Sequence, residues 1–206
     1  DLAIYSNNDD NYHIAWGKEH SKTNRCWYKS EPKKLTKWVS DVSSNSEHSK
    51  QFRHCVGYLK QWKNKHFSSN GNVAPPSIGL TIQVRNAFSL TAGYRKDRDL
   101  DALINIVSQM KSDFIYGCDS DTDSDLYTIE TPLPVEPYKD VYYKMSPLQL
   151  NKYYEKLGSL LEALESAREE ESEHETSKIL RKVFGDDFPL VEDVKRSDTK
   201  PYVPTG

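Results

Sequence analysis

Arg53, Gly57 and Lys60 recur at four- and three-residue steps within the stretch from Ser49 to about Phe67. On a helix that spacing aligns them on one stripe. Two cations on a stripe, with a glycine leaving room between them, could address the β- and γ-phosphates of a triphosphate. A glycine inside a helix costs about 1 kcal/mol relative to alanine, so Gly57 implies that something bulky approaches there. Beyond the break at Ser68-Ser69-Asn70-Gly71, Ser77 follows Pro75 and Pro76 at what reads as a helix entrance, where the helix dipole and first-turn amides attract anions. Asp1, ahead of Leu2-Ala3-Ile4-Tyr5, offers a carboxylate that could hold a divalent ion. Taken singly, Asp1 reads as a solvated acid and Lys60 as a solvated helix-face lysine, the common states of those residue types.

The elements that would position these groups can be read from periodicity. Leu2 to Tyr5 reads as a short strand, Asn7-Asn8-Asp9-Asp10 as a turn and Tyr12 to Trp16 as the returning strand. Ser30-Glu31-Pro32 opens a helix at about Lys33, with Leu35, Trp38 and Val39 at helical spacing. On the Arg53 and Lys60 helix, Phe52, Cys55, Val56, Leu59, Trp62 and His66 make the apolar stripe opposite the cations. After Ser77 the apolar residues fit a helix through Leu80, Val84, Ala87 and Phe88, but Ile78, Leu80, Ile82 and Val84 also alternate as in a strand. A helix follows Asp99, then an acidic loop from Asp119 to Asp125 and a proline-rich passage. Ser146-Pro147 starts a long helix whose core face runs from Leu150 to Leu164, and Glu162 to Glu175 reads as an acidic, solvated stretch. A last helix carries Ile179, Leu180, Val183 and Phe184 and ends at Gly185.

With 206 residues and 36% hydrophobic content, the chain can bury a core in one or two lobes. Its net charge of -3 provides no global basic field for duplex nucleic acid, although a local basic pocket remains open to it. Three widely separated cysteines, Cys26, Cys55 and Cys118, suggest neither a disulfide framework nor a metal knuckle, which fits a reducing cytoplasm. No apolar run approaches the roughly 20 residues that span a bilayer. The first residue is Asp rather than Met, which implies that the natural start lies upstream. Asp119, Asp121, Asp123 and Asp125 imitate a calcium loop, but Ser124 stands where the turn glycine would be and prolines follow, so a solvated loop is expected. The six histidines show no paired metal spacing.

Leu59-Lys60-Gln61-Trp62 followed by Ala74-Pro75-Pro76-Ser77-Ile78-Gly79-Leu80 resembles the triphosphate-binding helix and next helix entrance of oligoadenylate synthetases. The closer resemblance is to bacterial cGAS/DncV-like nucleotidyltransferases of CBASS anti-phage defence. Trp16-Gly17-Lys18-Glu19, Trp27 with Ser30-Glu31-Pro32-Lys33, Met145-Ser146-Pro147 and Val183-Phe184-Gly185-Asp186-Asp187-Phe188-Pro189 are similar to later landmarks of that family, in order along nearly the whole chain. The resemblance implies an α+β fold: the end of a nucleotidyltransferase palm with a linking helix over residues 1–47, a helical domain over 48–194 and a flexible tail over 195–206. It implies synthesis of cyclic di- or trinucleotide second messengers from ATP, GTP or other NTPs, with Mg²⁺ or Mn²⁺ as cofactor.

In that reading Asp1 is the third metal acid, Lys60 and Ser77 hold the donor triphosphate, and Arg53 assists them. The Gly-Ser loop and Asp-x-Asp strand of the family lie in an upstream half that these residues do not include. The terminal Gly206 matches the conjugation point of relatives whose C-terminus an E1/E2-like partner joins to target amines. A non-catalytic helical nucleotide-sensing or protein-interaction module is the alternative.

Overall fold

Polar breaks separate three extended runs near the start of the chain, and these pair as an antiparallel meander: β1 (Tyr5–Asn8), β2 (Asn11–Gly17) and β3 (Arg25–Ser30). Tyr5 stands opposite Ile14, and Ile14 opposite Tyr28. Side chains alternate across a strand, so Tyr5, Tyr12, Trp16 and Tyr28 share one sheet face. Their rings meet edge-on, Tyr5 with Tyr12 at 6.4 Å and Trp16 with Tyr28 at 6.0 Å. The computed structural model describes residues 4–8, 11–17, 20, 22–23, 25–68, 73–90, 98–119 and 124–193.

From the sheet the chain enters α1 (Pro32–Ser40), with proline in its first turn and no fully buried residue. Five helices then form the core lobe: α2 (Ser46–His66), α3 (Ser77–Leu90), α4 (Asp99–Ser112), α5 (Pro147–Glu169) and α6 (Glu173–Phe184). Their ends carry recognisable caps. The Asn45 side chain accepts from the Glu47 and His48 N–H groups, Ser146 and Gln149 form a capping box, and Gly185 closes α6 at φ 109°. The core joins Leu59 and Trp62 of α2, Leu103 and Met110 of α4, Tyr153, Leu157 and Leu164 of α5, and Phe184 of α6.

Between α4 and α5, β4 (Ile115–Asp119) and β5 (Ser124–Thr128) form a second, two-stranded sheet. Asn151 of α5 anchors it, accepting from the Tyr127 N–H and donating to the Asp125 carbonyl. Tyr127 also stacks on Tyr154 at 3.7 Å.

The α+β class read from the sequence holds, with several local corrections. Asn7 and Asn8 continue β1 rather than turning, and β3 is a strand that the sequence reading did not mark. Asp119 and Asp125 belong to strands, with Asp125 accepting from the Tyr116 hydroxyl; residues 120–123 lie outside the described set. Ile115 and Tyr116 are 68% and 60% exposed, so β4 lacks the buried face by which a strand is recognised. Within the acidic stretch α5 continues to Glu169 and buries Leu164 and Ala167, so one face is core while the other carries the charges. Among the described residues Cys26, Cys55 and Cys118 form no disulfide. Among the described residues no helix is long and apolar enough to cross a membrane.

Candidate functional site

The first turn of α3 is held against its surroundings by Gly79. A Cβ added there would lie 2.8 Å from the Tyr142 ring and hydroxyl, so only glycine lets the two approach so closely. Tyr142 is buried and its hydroxyl donates to Gln83 Oε1 one turn further along α3; the buried Tyr153 hydroxyl donates to the same oxygen at 2.8 Å. Burial pushes both phenols well above the usual tyrosine range, so they remain protonated donors. Gly79 and Gln83 thus set the position of the residue that opens the helix, Ser77.

α2 brings Lys63 to that point. Its ammonium donates to Ser77 Oγ at 2.7 Å. Partial burial removes water from Lys63 and lowers its pKa, and repulsion from Lys60 lowers it further. Lys60 lies three residues earlier, on the same helix face, and is half-buried. Ser77 is exposed, and its carbonyl accepts from Thr81 Oγ1 at 2.9 Å. No acidic residue occupies the first turn of α3. Among the described residues no carboxylate is within ion-pair distance of Lys60 or Lys63. Two ammonium groups therefore gather beside the positive end of a helix dipole, an arrangement that repels itself and that an anion would neutralise.

The residues expected from the sequence fall in different places. Ser77 is in this cluster and Lys60 sits at its edge. Arg53 is exposed on α2 about 10 Å before Lys60, at 1.5 Å of rise per residue. Its neighbours Gln51 and His54 tie α2 to Asp99 of α4, at 3.2 and 2.7 Å. Gly57 is exposed, and a Cβ there would meet nothing within 4 Å, so among the described residues no group takes up the space it leaves. Asp1 and Gly206 lie outside the described residues.

Lys63 escaped the sequence reading because Arg53, Gly57 and Lys60 drew attention to the stripe opposite the core. The signal for it was available. Lys63 follows Trp62 and is one turn beyond Leu59, both core residues, so it flanks the buried stripe where a packed neighbour must come near. No group of three His, Cys, Asp or Glu side chains that could hold a metal ion occurs among the described residues.

The sequence matches no family model and no curated protein. Its fold, a small antiparallel sheet followed by a helical lobe, is similar to part of several solved structures of Vibrio cholerae DncV. Vibrio cholerae DncV in its apo form matches with a TM-score of 0.62 at 22% identity, over 91% of this chain and 46% of that one. The 3′-deoxy ATP bound form of the same protein gives 0.63 at 23% identity, over 91% and 45%. DncV cyclic AMP-GMP synthase in complex with nonhydrolyzable GTP gives 0.60 at 23%, over 87% and 43%. The chain spans less than half the length of these structures.

Proposed function

We propose that this chain is the C-terminal portion of a nucleotidyltransferase that makes cyclic di- or trinucleotides from NTPs, and that its own contribution is to hold the donor triphosphate. The observation that carries the reading is Lys63 on Ser77 at the N-terminus of α3, with Lys60 beside it and no carboxylate to neutralise them. The described structural neighbours add support for the substrate class, being a cyclic AMP-GMP synthase with a nonhydrolyzable GTP or 3′-deoxy ATP bound.

In the reaction a 3′-hydroxyl attacks an α-phosphate and pyrophosphate departs. Lys63, Lys60, the Ser77 hydroxyl and the first-turn amides of α3 would bind the β- and γ-phosphates and stabilise the charge that develops on the leaving pyrophosphate. The sequence reading centred the cluster on Lys60; the contact of Lys63 with Ser77 supports a centre at Lys63. Arg53, about three turns before Lys63, would meet only a ligand that extends along α2. The resemblance assigns Mg²⁺ or Mn²⁺ to Asp1 and to carboxylates of an upstream half. That assignment, the anti-phage and cytoplasmic setting, and conjugation of Gly206 by an E1/E2-like partner rest on the sequence resemblance.

Calorimetric titration of the chain with inorganic tripolyphosphate tests the anion site. Binding that weakens about tenfold or more in Lys63→Ala is the expected result, since hydrogen bonds to charged groups contribute about 1.5–3 kcal/mol. Equal binding by wild type and Lys63→Ala would remove the reading.

A further inference from the structure

A cavity of about 360 Å³ lies where the end of α2 meets α5 and α6. Leu160 and Ala163 of α5 and Ile179 and Val183 of α6 give it an aliphatic lining, and Lys156 and Lys182 join them from the same two helices. No acidic residue lines it among the described residues, and neither lysine has a carboxylate within ion-pair distance there. Glu175, about two turns before Lys182 on α6, is engaged by Lys178 at 2.7 Å. The Lys156 ammonium has only a ring for company, 5.0 Å from the Phe67 centroid. Both α2 and α6 end beside the cavity, and helix C-termini attract cations rather than anions. Here those ends are already answered: Lys65 donates to the Arg181 and Lys182 carbonyls, and His66 Nε2 donates to the Val183 carbonyl at 2.9 Å. The charges of Lys156 and Lys182 are left over.

An aliphatic hollow beside two unmatched cations fits a ligand with an apolar body and one negative end. A bare anion would leave the hollow unused, and a hydrocarbon would leave the ammonium groups unused. The volume is at the small end of the usual range for ligand sites, roughly 300–1,000 Å³. Trp62, the one indole of the lining, is only 2% exposed, so the surface on offer is branched alkyl rather than an open ring face. We infer that this cavity binds a medium-chain alkyl carboxylate, with the chain on Leu160, Ala163, Ile179 and Val183 and the carboxylate on Lys156 and Lys182. A free fatty carboxylate and a lipid in a bilayer share this chemistry. A hollow between three helices suits the free molecule, because a bilayer is met by the outward apolar face of a helix. The cavity shares no residue with the Lys63 and Ser77 cluster and does not rest on the triphosphate reading.

Methyl NMR titration of the full chain with sodium decanoate, kept below its micelle concentration, tests the assignment. The expected shifts centre on the methyls of Leu160, Ala163, Ile179 and Val183. Hexanoate, with a shorter chain, and decylamine, with the opposite charge, should each bind about tenfold or more weakly, each lacking one half of the recognised chemistry. Ala163→Leu adds bulk inside the cavity and should weaken decanoate about tenfold. Lys156→Glu combined with Lys182→Glu should reverse the charge preference, so that decylamine binds more tightly than decanoate. If Ala163→Leu fails to fold, this double variant, whose positions lie outside the core, carries the test.

Shifts centred on other methyls would overturn the inference. So would equal affinity for decanoate and decylamine, or full decanoate affinity in the double variant. Sedimentation with phosphatidylglycerol vesicles that the double variant loses would overturn it too, by making this surface a membrane contact. Because tripolyphosphate titration reads the other cluster, the two readings can fail separately.

Discussion

The C-terminal end of α2 meets two other helix ends, and it treats them in opposite ways. At the last turn of α6, Lys65 donates to the carbonyls of Arg181 and Lys182, and the His66 ring nitrogen pairs with the Val183 carbonyl. The Arg181 carbonyl also accepts from the Gly185 N–H that caps α6, and a cation beside these last carbonyls complements the negative end of the dipole. At the first turn of α3, Lys63 faces the positive end of a dipole, loses water and is repelled by Lys60. The first arrangement is satisfied as it stands; the second is not. Cations two residues apart in the last turn of one helix can therefore serve different ends, Lys65 joining helices and Lys63 awaiting an anion.

The largest effect that could break this contrast comes from Lys63→Glu. A carboxylate there matches the N-terminal dipole of α3 but opposes that of the last turn of α2, so the two terms offset and thermal stability should change by less than about 1 kcal/mol. Tripolyphosphate binding should fall by about a hundredfold or more, since a favourable charged contact becomes a repulsive one. A melt nearly unchanged beside a large loss in titration is the signature; a loss of both would make Lys63 a structural residue. Titration across pH sharpens the point. Lys63 should lose its proton below the ordinary lysine value of 10.5, so affinity should fall as pH rises through that lowered pKa. Between the lowered folded value and the unfolded value the unfolded chain binds more protons, so stability should rise with pH in that window.

Lys65→Ala is the counterpart, with a smaller effect. It should destabilise the fold by about 1 kcal/mol, the contribution of a cation and hydrogen bonds at a helix C-terminus, and leave tripolyphosphate affinity unchanged. Denaturant melts beside the same titration measure both. Weakened binding in this variant would erase the distinction between the two ends.

The smallest effect concerns Gly57. Its helix position is exposed and open, so Gly57→Ala should stabilise the chain by about 0.5–1 kcal/mol through reduced freedom of the unfolded state. Tripolyphosphate affinity in this variant shows how far the anion site extends along α2. Unchanged affinity limits the site to Lys60, Lys63 and Ser77, whereas a loss extends it toward Arg53.

Much of the helical lobe could be read without coordinates. The core stripe of α2 emerged from Phe52, Cys55, Leu59 and Trp62, and the start of α5 from Ser146-Pro147, because local periodicity and capping chemistry are written in neighbouring residues. α3 was ambiguous for a reason the fold makes plain. Leu80, Thr81, Ile82, Gln83, Val84 and Ala87 are all buried, so burial runs most of the way round this central helix and leaves little polar surface to reveal its period. β4 and β5 were missed for the converse reason, with Ile115 and Tyr116 left exposed.

The sequence by itself determined that a basic helix precedes a helix entrance at Ser77, and from residue spacing it placed Lys60 and Arg53 on one stripe. Only the tertiary structure decided which lysine reaches Ser77. That choice depends on how α2 and α3 pack, and the packing is set by groups distant in sequence: Gly79 against Tyr142, and Gln83 receiving the hydroxyls of Tyr142 and Tyr153. Spacing along one helix reports which residues share a face; it carries no information about which neighbouring helix end that face will meet.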